Sequence, residues 1–123
     1  MPRLPFFWWL PLGRVSEVDA ADLEKELQGD APPQLLDVRT QREFRTGHIA
    51  GAVHVPIGAL RSRVPRLPFD PQRPIVAICL SAHRSIPAVR MLKSAGFKDA
   101  RQLAGGMLAW RRKGLPTRSD HRL

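Results

Sequence analysis

Cysteine is almost missing from this chain of 123 residues: Cys79 stands alone. One thiol excludes an intramolecular disulfide and a multi-cysteine metal site within one chain, and it suits a reducing, cytoplasmic compartment. Long apolar runs are missing as well, since none reaches the roughly 18 residues of a membrane-spanning helix. There is no internal repeat, no low-complexity block, and no zinc-finger, basic-zipper or RNA-recognition pattern. Acidic side chains are few beside basic ones, 11 against 20, for a net charge of +9. That balance favours anionic partners such as small oxyanions. The charges are scattered along the chain, so nucleic acid is not among the expected partners. The length suits one domain with a core of its own.

The stretch from Ile75 to Gly96 (IVAICLSAHRSIPAVRMLKSAG) is the one that the rest is organised around. Ile75 to Ile78 is a short apolar run rich in β-branched residues and reads as a buried strand. From Ser85 the pattern turns helical, with Ile86, Val89 and Leu92 forming an apolar stripe. Pro87 fits the first turn, where a missing N–H costs little. Cys79 therefore falls at the carboxyl end of a strand, just before a helix N-terminus. Ligands of open α/β sheets bind at such strand ends, and a helix N-terminus favours an anion or a thiolate. A free cysteine is more often inert packing. Here the following loop carries Ser81, His83 and Arg84, polar groups foreign to a core, and Arg84 and protonated His83 favour a thiolate. Cys79 is thus a candidate nucleophile.

The remaining chain alternates strands and short helices. Residues 1–13 form an apolar arm with Phe6, Phe7, Trp8 and Trp9, read as a terminal packing arm ahead of an interfacial anchor or a signal segment. Val15 to Val18 reads as a first strand. Asp19 is an N-cap for a helix carrying Leu23 and Leu27 and closed by Gly29. Gln34 to Val38 is a second strand. Thr40 and Glu43 fit a capping box for a helix starting at Gln41. Val53 to Val55 is a third strand and Ile57 to Val64 a helix, followed by a proline-rich connection, Leu67 to Pro74. Ala100 to Leu103 is the last strand. Gly105 and Gly106 permit a turn into a short helix, Met107 to Trp110, and a basic tail starts at Arg111. The pattern predicts an α/β domain with a mainly parallel sheet.

Three blocks resemble one family. LLDVRTQREFRTGHIAGAVHVP (Leu35 to Pro56), CLSAHRS (Cys79 to Ser85) and LAGGMLAWRRKGLP (Leu103 to Pro116) are similar to the N-terminal signature, the active-site loop and the C-terminal signature of rhodanese-like sulfurtransferase domains. The resemblance covers Val15 to Pro116, and the expected division is an arm at 1–13, a rhodanese-like domain at 14–116 and a basic tail at 117–123. It implies a five-stranded parallel sheet with helices on both faces. It also implies that Cys79 accepts a sulfane sulfur from a donor such as thiosulfate, becomes a persulfide, and passes the sulfur to cyanide or a thiol acceptor. The backbone of Leu80, Ser81, Ala82, His83 and Arg84 would then cradle the donor's oxygens as an anion nest, with Arg84 as the charged wall. No metal and no organic cofactor are implied. The family usually has glycine where this chain has Ala82, which puts the shape of the cradle in question.

Other polar residues have plainer expected roles. Asp37 and Arg39 are expected to hold loops together, Glu43 to cap, His48 and His54 to be hydrogen-bonded structural histidines, and Trp110 to anchor the last helix. The leading reading is a thiosulfate sulfurtransferase working by nucleophilic catalysis. The second is a persulfide carrier or partner-docking module of the same fold. The third is an oxyanion phosphatase or arsenate reductase, disfavoured because those related chemistries use a loop one residue longer than the Cys-x4-Arg found here.

Overall fold

The computed structural model describes residues 15–81 and 83–119. The strands are β1 (Glu17–Val18), β2 (Gln34–Asp37), β3 (Val53–His54), β4 (Ile75–Ile78) and β5 (Ala100–Leu103). The helices are α1 (Ala20–Leu27), α2 (Gln41–Thr46), α3 (Ile57–Arg63), α4 (Ser85–Ser94) and α5 (Gly106–Arg112), with a 3₁₀ turn at Val64–Arg66. The five strands form one sheet in the order β1-β5-β4-β2-β3. Its ladders are all parallel, as the crossover helices require. The expected α/β fold is therefore the one found. The arm at 1–13 lies outside the described residues.

Local chemistry sets the element boundaries. Asp19 caps α1 by accepting from Asp22 N–H at 2.8 Å. At α2, Glu43 N–H donates to Thr40 Oγ1 at 3.2 Å and Thr40 N–H donates to Glu43 Oε1 at 2.9 Å, which completes the capping box. Gly96, just past α4, takes φ +102°, a left-handed value suited to glycine. Several boundaries differ from the sequence pattern: β1 begins at Glu17 rather than Val15, and β2 and β3 each end one residue early, at Asp37 and His54. α3 stops at Arg63 and tightens into the 3₁₀ turn, because Pro65 cannot donate to continue an α-helix. α5 runs on to Arg112, so Arg111 and Arg112 are helical rather than the start of a tail. Arg118, further on, exchanges backbone hydrogen bonds with His48 at 2.9 and 2.7 Å.

β4 is the middle strand, and its four residues are fully buried. Period-two alternation sends its side chains to opposite faces. Ile75, Ala77 and Cys79 share one face with Leu36 and Val38, beneath Leu60 of α3 and Ala88, Val89 and Leu92 of α4. Val76 and Ile78 face the other way, towards Leu23 of α1 and Met107 and Trp110 of α5. Trp110 Nε1–H donates to Pro116 O at 2.9 Å, so the buried indole is satisfied and ties down the chain after α5.

Asp37 and Arg39 are wholly buried at the carboxyl end of β2. Arg39 Nε and Nη2 donate to Asp37 Oδ1 and Oδ2 at 2.9 and 2.8 Å, and Nη2 also donates to Gly47 O at 2.7 Å. The pair thus fastens the loop after α2 to the sheet, which is the structural role expected of it. Removing one partner would leave a buried charge without compensation. Arg39→Ala is expected to destabilise the fold by about 3–5 kcal/mol, read as a lower midpoint in chemical denaturation. A change below about 0.5 kcal/mol, the scale of ordinary surface substitutions, would show that the pair is not structural.

Candidate active site

Cys79 is the first residue beyond β4, and the chain then turns through Leu80 to Arg84 into α4. Its side chain is on the α4 face of the sheet and is 1% exposed. The nucleophile expected from the sequence is therefore seated in the core face and not on the open surface. Leu80 and Ser81 are half-buried and His83 is exposed. Ala82 lies outside the described residues.

The loop is clamped from above by α5. Met107 N–H donates to Cys79 O at 2.8 Å, and Leu108 N–H donates to Leu80 O at 3.0 Å. This brings the start of α5 so close that a Cβ on Gly106 would lie 2.4 Å from Cys79 O and 2.6 Å from Leu80 C. Gly106 also has φ +59° and Gly105 φ +73°. The glycine pair therefore does more than permit a turn, since only a residue without a side chain lets this helix end reach the loop carbonyls.

Arg84 does not stand alone. Its Nη1 and Nη2 donate to Glu43 Oε1 and Oε2 at 2.8 and 3.1 Å, a two-pronged ion pair with the side chains 29% and 26% exposed. Glu43 thus serves both as the capping-box acid of α2 and as the anchor of the loop arginine. The sequence pattern indicated only the first role. The Arg84 hydrogen bonds hold the Glu43 carboxyl down at about 2, against the opposing effect of burial and with help from Thr40. Arg84 is in turn held above its ordinary value, first by the hydrogen bonds of Glu43, against burial, and to a smaller extent by Asp37 and by Cys79 when it is ionised.

Cys79 faces a second polar group that the sequence reading did not single out. Its Sγ is 3.5 Å from Ser85 Oγ at the start of α4. Ser85 Oγ donates to Gln102 Oε1 at 2.5 Å, and Gln102 Nε2 donates to Glu17 Oε1 at 3.1 Å. Gln102 is the one uncharged polar residue of the strand Ala-Arg-Gln-Leu, and its position on an otherwise buried strand was the available signal. The two histidines are structural, as expected. His48 Nδ1 bonds Phe44 O at 2.8 Å and His54 Nε2 bonds Arg39 O at 2.7 Å, and both rings stack on Phe44. A groove of about 720 Å³ lies among Leu27, Leu35, Ile49, Phe69, Trp110 and Pro116 and includes none of the loop residues.

Among the described residues, no group of three or more His, Cys, Asp or Glu side chains could hold a metal ion, and no helix is long and apolar enough to cross a membrane. A parallel α/β sheet with one thiol at the tip of its middle strand, beside an arginine and a helix start, defines a domain class built around a strand-end cysteine. The chain belongs to the rhodanese-like domain family, whose model matches residues 19–113. It is 34% identical over 102 residues to a sulfurtransferase of Allochromatium vinosum, covering 83% of this chain and 94% of that protein. It is 43% identical over 84 residues to the HTH-type transcriptional regulator Rv0324 of Mycobacterium tuberculosis, where the match covers 67% of this chain but 36% of that longer protein. The rhodanese-like domain of the Alr3790 protein from Anabaena sp. superposes with a TM-score of 0.76 at 33% identity, covering 86% of this chain and 80% of that one.

The Glu43–Arg84 pair has a pH signature. A carboxylate whose value is depressed in the folded state contributes stability above its unfolded value, and that contribution disappears as pH falls through the folded value. The contribution of Glu43 is therefore complete above about 4.5 and is lost as pH falls towards about 2. Thermal unfolding followed across this acid range should show a shallower loss of stability in Glu43→Gln than in the parent chain. Parallel curves would assign the acid sensitivity to other carboxylates, such as the Arg101-paired Glu26.

Proposed function

We propose that this protein is a sulfurtransferase that moves a sulfane sulfur from thiosulfate, or from a persulfide donor, through a persulfide on Cys79 to a thiol acceptor or to cyanide. The observation that carries this reading is the lone thiol at the tip of the middle strand. It sits at the start of α4 and within the electrostatic reach of Arg84. Membership of a family with sulfurtransferase relatives supports the reaction type. The donor, the acceptor and the roles of the loop residues are the proposal.

The thiolate of Cys79 attacks the outer sulfur of thiosulfate. A bond forms between the two sulfurs, the sulfur–sulfur bond of the donor breaks, and sulfite leaves with the bonding electron pair. The terminal sulfur of the persulfide is then attacked by cyanide, giving thiocyanate and returning the Cys79 thiolate. With a thiol acceptor the sulfur moves to the acceptor, and a second thiol releases it as sulfide with formation of the acceptor's disulfide. The chain has no second cysteine, so this step uses a thiol from outside the chain. No metal or organic cofactor enters either half-reaction. The donor's oxygens rest against the backbone of Leu80 to Arg84, with the Arg84 guanidinium as their charged neighbour. A free thiol with this task fits a reducing, cytoplasmic setting.

The carrier reading uses the same persulfide without turnover on free cyanide. Thiocyanate formation from thiosulfate and cyanide is expected in the parent chain and absent in Cys79→Ser. In parallel, intact mass spectrometry after treatment with thiosulfate is expected to show one added sulfur in the parent chain and none in the variant, reversed by a small thiol. A persulfide without thiocyanate would favour the carrier, and activity retained in Cys79→Ser would remove Cys79 from the mechanism.

Arg84→Ala is expected to weaken thiosulfate use mainly through binding, because a charge-assisted contact to the anion is lost and the Glu43 carboxylate is set free nearby. A loss on the order of 1.5–3 kcal/mol corresponds to a KM about 10–150-fold higher. Steady-state kinetics with unchanged KM and kcat would show that the arginine serves only its bond to Glu43.

A further inference from the structure

The buried polar chain behind Cys79 has a direction, and that direction bears on the state of the sulfur. Glu17 and Gln102 are register partners on neighbouring strands. A carboxylate oxygen only accepts, so the atom of Gln102 facing Glu17 at 3.1 Å must be the Nε2 donor. The amide is thereby oriented, and Oε1, which only accepts, faces Ser85 Oγ at 2.5 Å. At that distance the Ser85 hydroxyl hydrogen must lie between the two oxygens. What Ser85 turns towards Cys79 Sγ at 3.5 Å is then a lone pair, which accepts from a thiol S–H but offers nothing to a thiolate. Cys79, Ser85 and Gln102 are 1%, 0% and 5% exposed, so water does not substitute freely for these bonds.

We propose that Gln102 is a positioning residue for Cys79: by turning the Ser85 hydroxyl hydrogen away from the sulfur, it sets how readily that sulfur becomes a nucleophile. Ionisation of Cys79 is eased when the Ser85 hydroxyl leaves Gln102 Oε1 and turns its hydrogen to the sulfur. Gln102 touches no reacting atom and acts only through Ser85. The inference rests on the reading of Cys79 as the nucleophile, but its test does not need sulfur transfer to occur. Titratable and charged groups on the surrounding elements are His83 and Arg84 in the loop, Glu43 behind Arg84 on α2, the Asp37–Arg39 pair at the end of β2, and Glu17 on β1 beyond Gln102. α5 meets the loop here through the backbone N–H groups of Met107 and Leu108.

The test is the ultraviolet absorbance of the thiolate as a function of pH, measured on the full chain. One cysteine and no tyrosine make the signal belong to Cys79. Gln102→Met removes the acceptor while keeping an unbranched side chain of similar length. It is expected to move the titration to lower pH by about 1 unit, or about tenfold more thiolate at a pH below the midpoint. Glu17→Ala frees the amide to turn over and is expected to shift it in the same direction. In a Ser85→Ala background the Gln102→Met substitution should produce no further shift. Any remaining effect of Glu17→Ala in that background measures the lost charge alone. Unchanged midpoints in both single variants, or equal shifts with and without the Ser85 hydroxyl, would overturn the proposal. Glu17 is exposed, so its variant decides the matter if Gln102→Met fails to fold.

Discussion

The contact on which the site depends is the approach of the α5 N-terminus to the loop after β4. Two carbonyls that leave the sheet, those of Cys79 and Leu80, are taken up by the N–H groups of Met107 and Leu108. Each side satisfies polar groups that the other would leave open, namely the first amides of a helix and the carbonyls of a turning strand. The arrangement exists because Gly106 has no Cβ to occupy the space in front of Cys79 O. With the carbonyls of Cys79 and Leu80 held from the α5 side and the Cys79 side chain packed on the α4 side, the sulfur is seated against the sheet.

Around that fixed sulfur, charge is arranged in two separate systems. On the outer side, Glu43 holds Arg84 by a two-pronged ion pair that is part-exposed. Deeper, the Asp37–Arg39 pair is fully buried and committed to holding the loop at Gly47. An acid–arginine pair lies half-exposed at the proposed site in one place and serves architecture in the other, and burial makes the difference. A buried pair cannot give up a partner without a large cost, whereas a half-exposed one can.

Much of the architecture was legible in the chain. The apolar run before Cys79, the Asp19 and Thr40 caps, the helical stripe after Ser85 and the Gly96 stop are local signals, and each produced the element it suggested. The boundaries that moved did so by one or two residues at element ends. Pro65 tightened the end of α3 into a 3₁₀ turn, and α5 carried Arg111 and Arg112 on through its last turn. The two histidines, the Asp37–Arg39 pair and Trp110 were also readable, because each is a polar or bulky group whose partner lies in a nearby element.

The sequence by itself determined the parallel α/β pattern and the seat of the lone thiol at a strand end, because caps, periodicity and a strand–loop–helix motif are written in neighbouring residues, and its three signature blocks carried the resemblance to the rhodanese-like family. Only the tertiary structure decided the surroundings of that thiol. Glu43 meets Arg84 across 41 positions, and Ser85 meets Gln102 across 17. Gln102 meets Glu17 across 85, through the pairing of the last strand with the first. Such contacts follow from strand order and register, which bring together residues whose spacing along the chain carries no period.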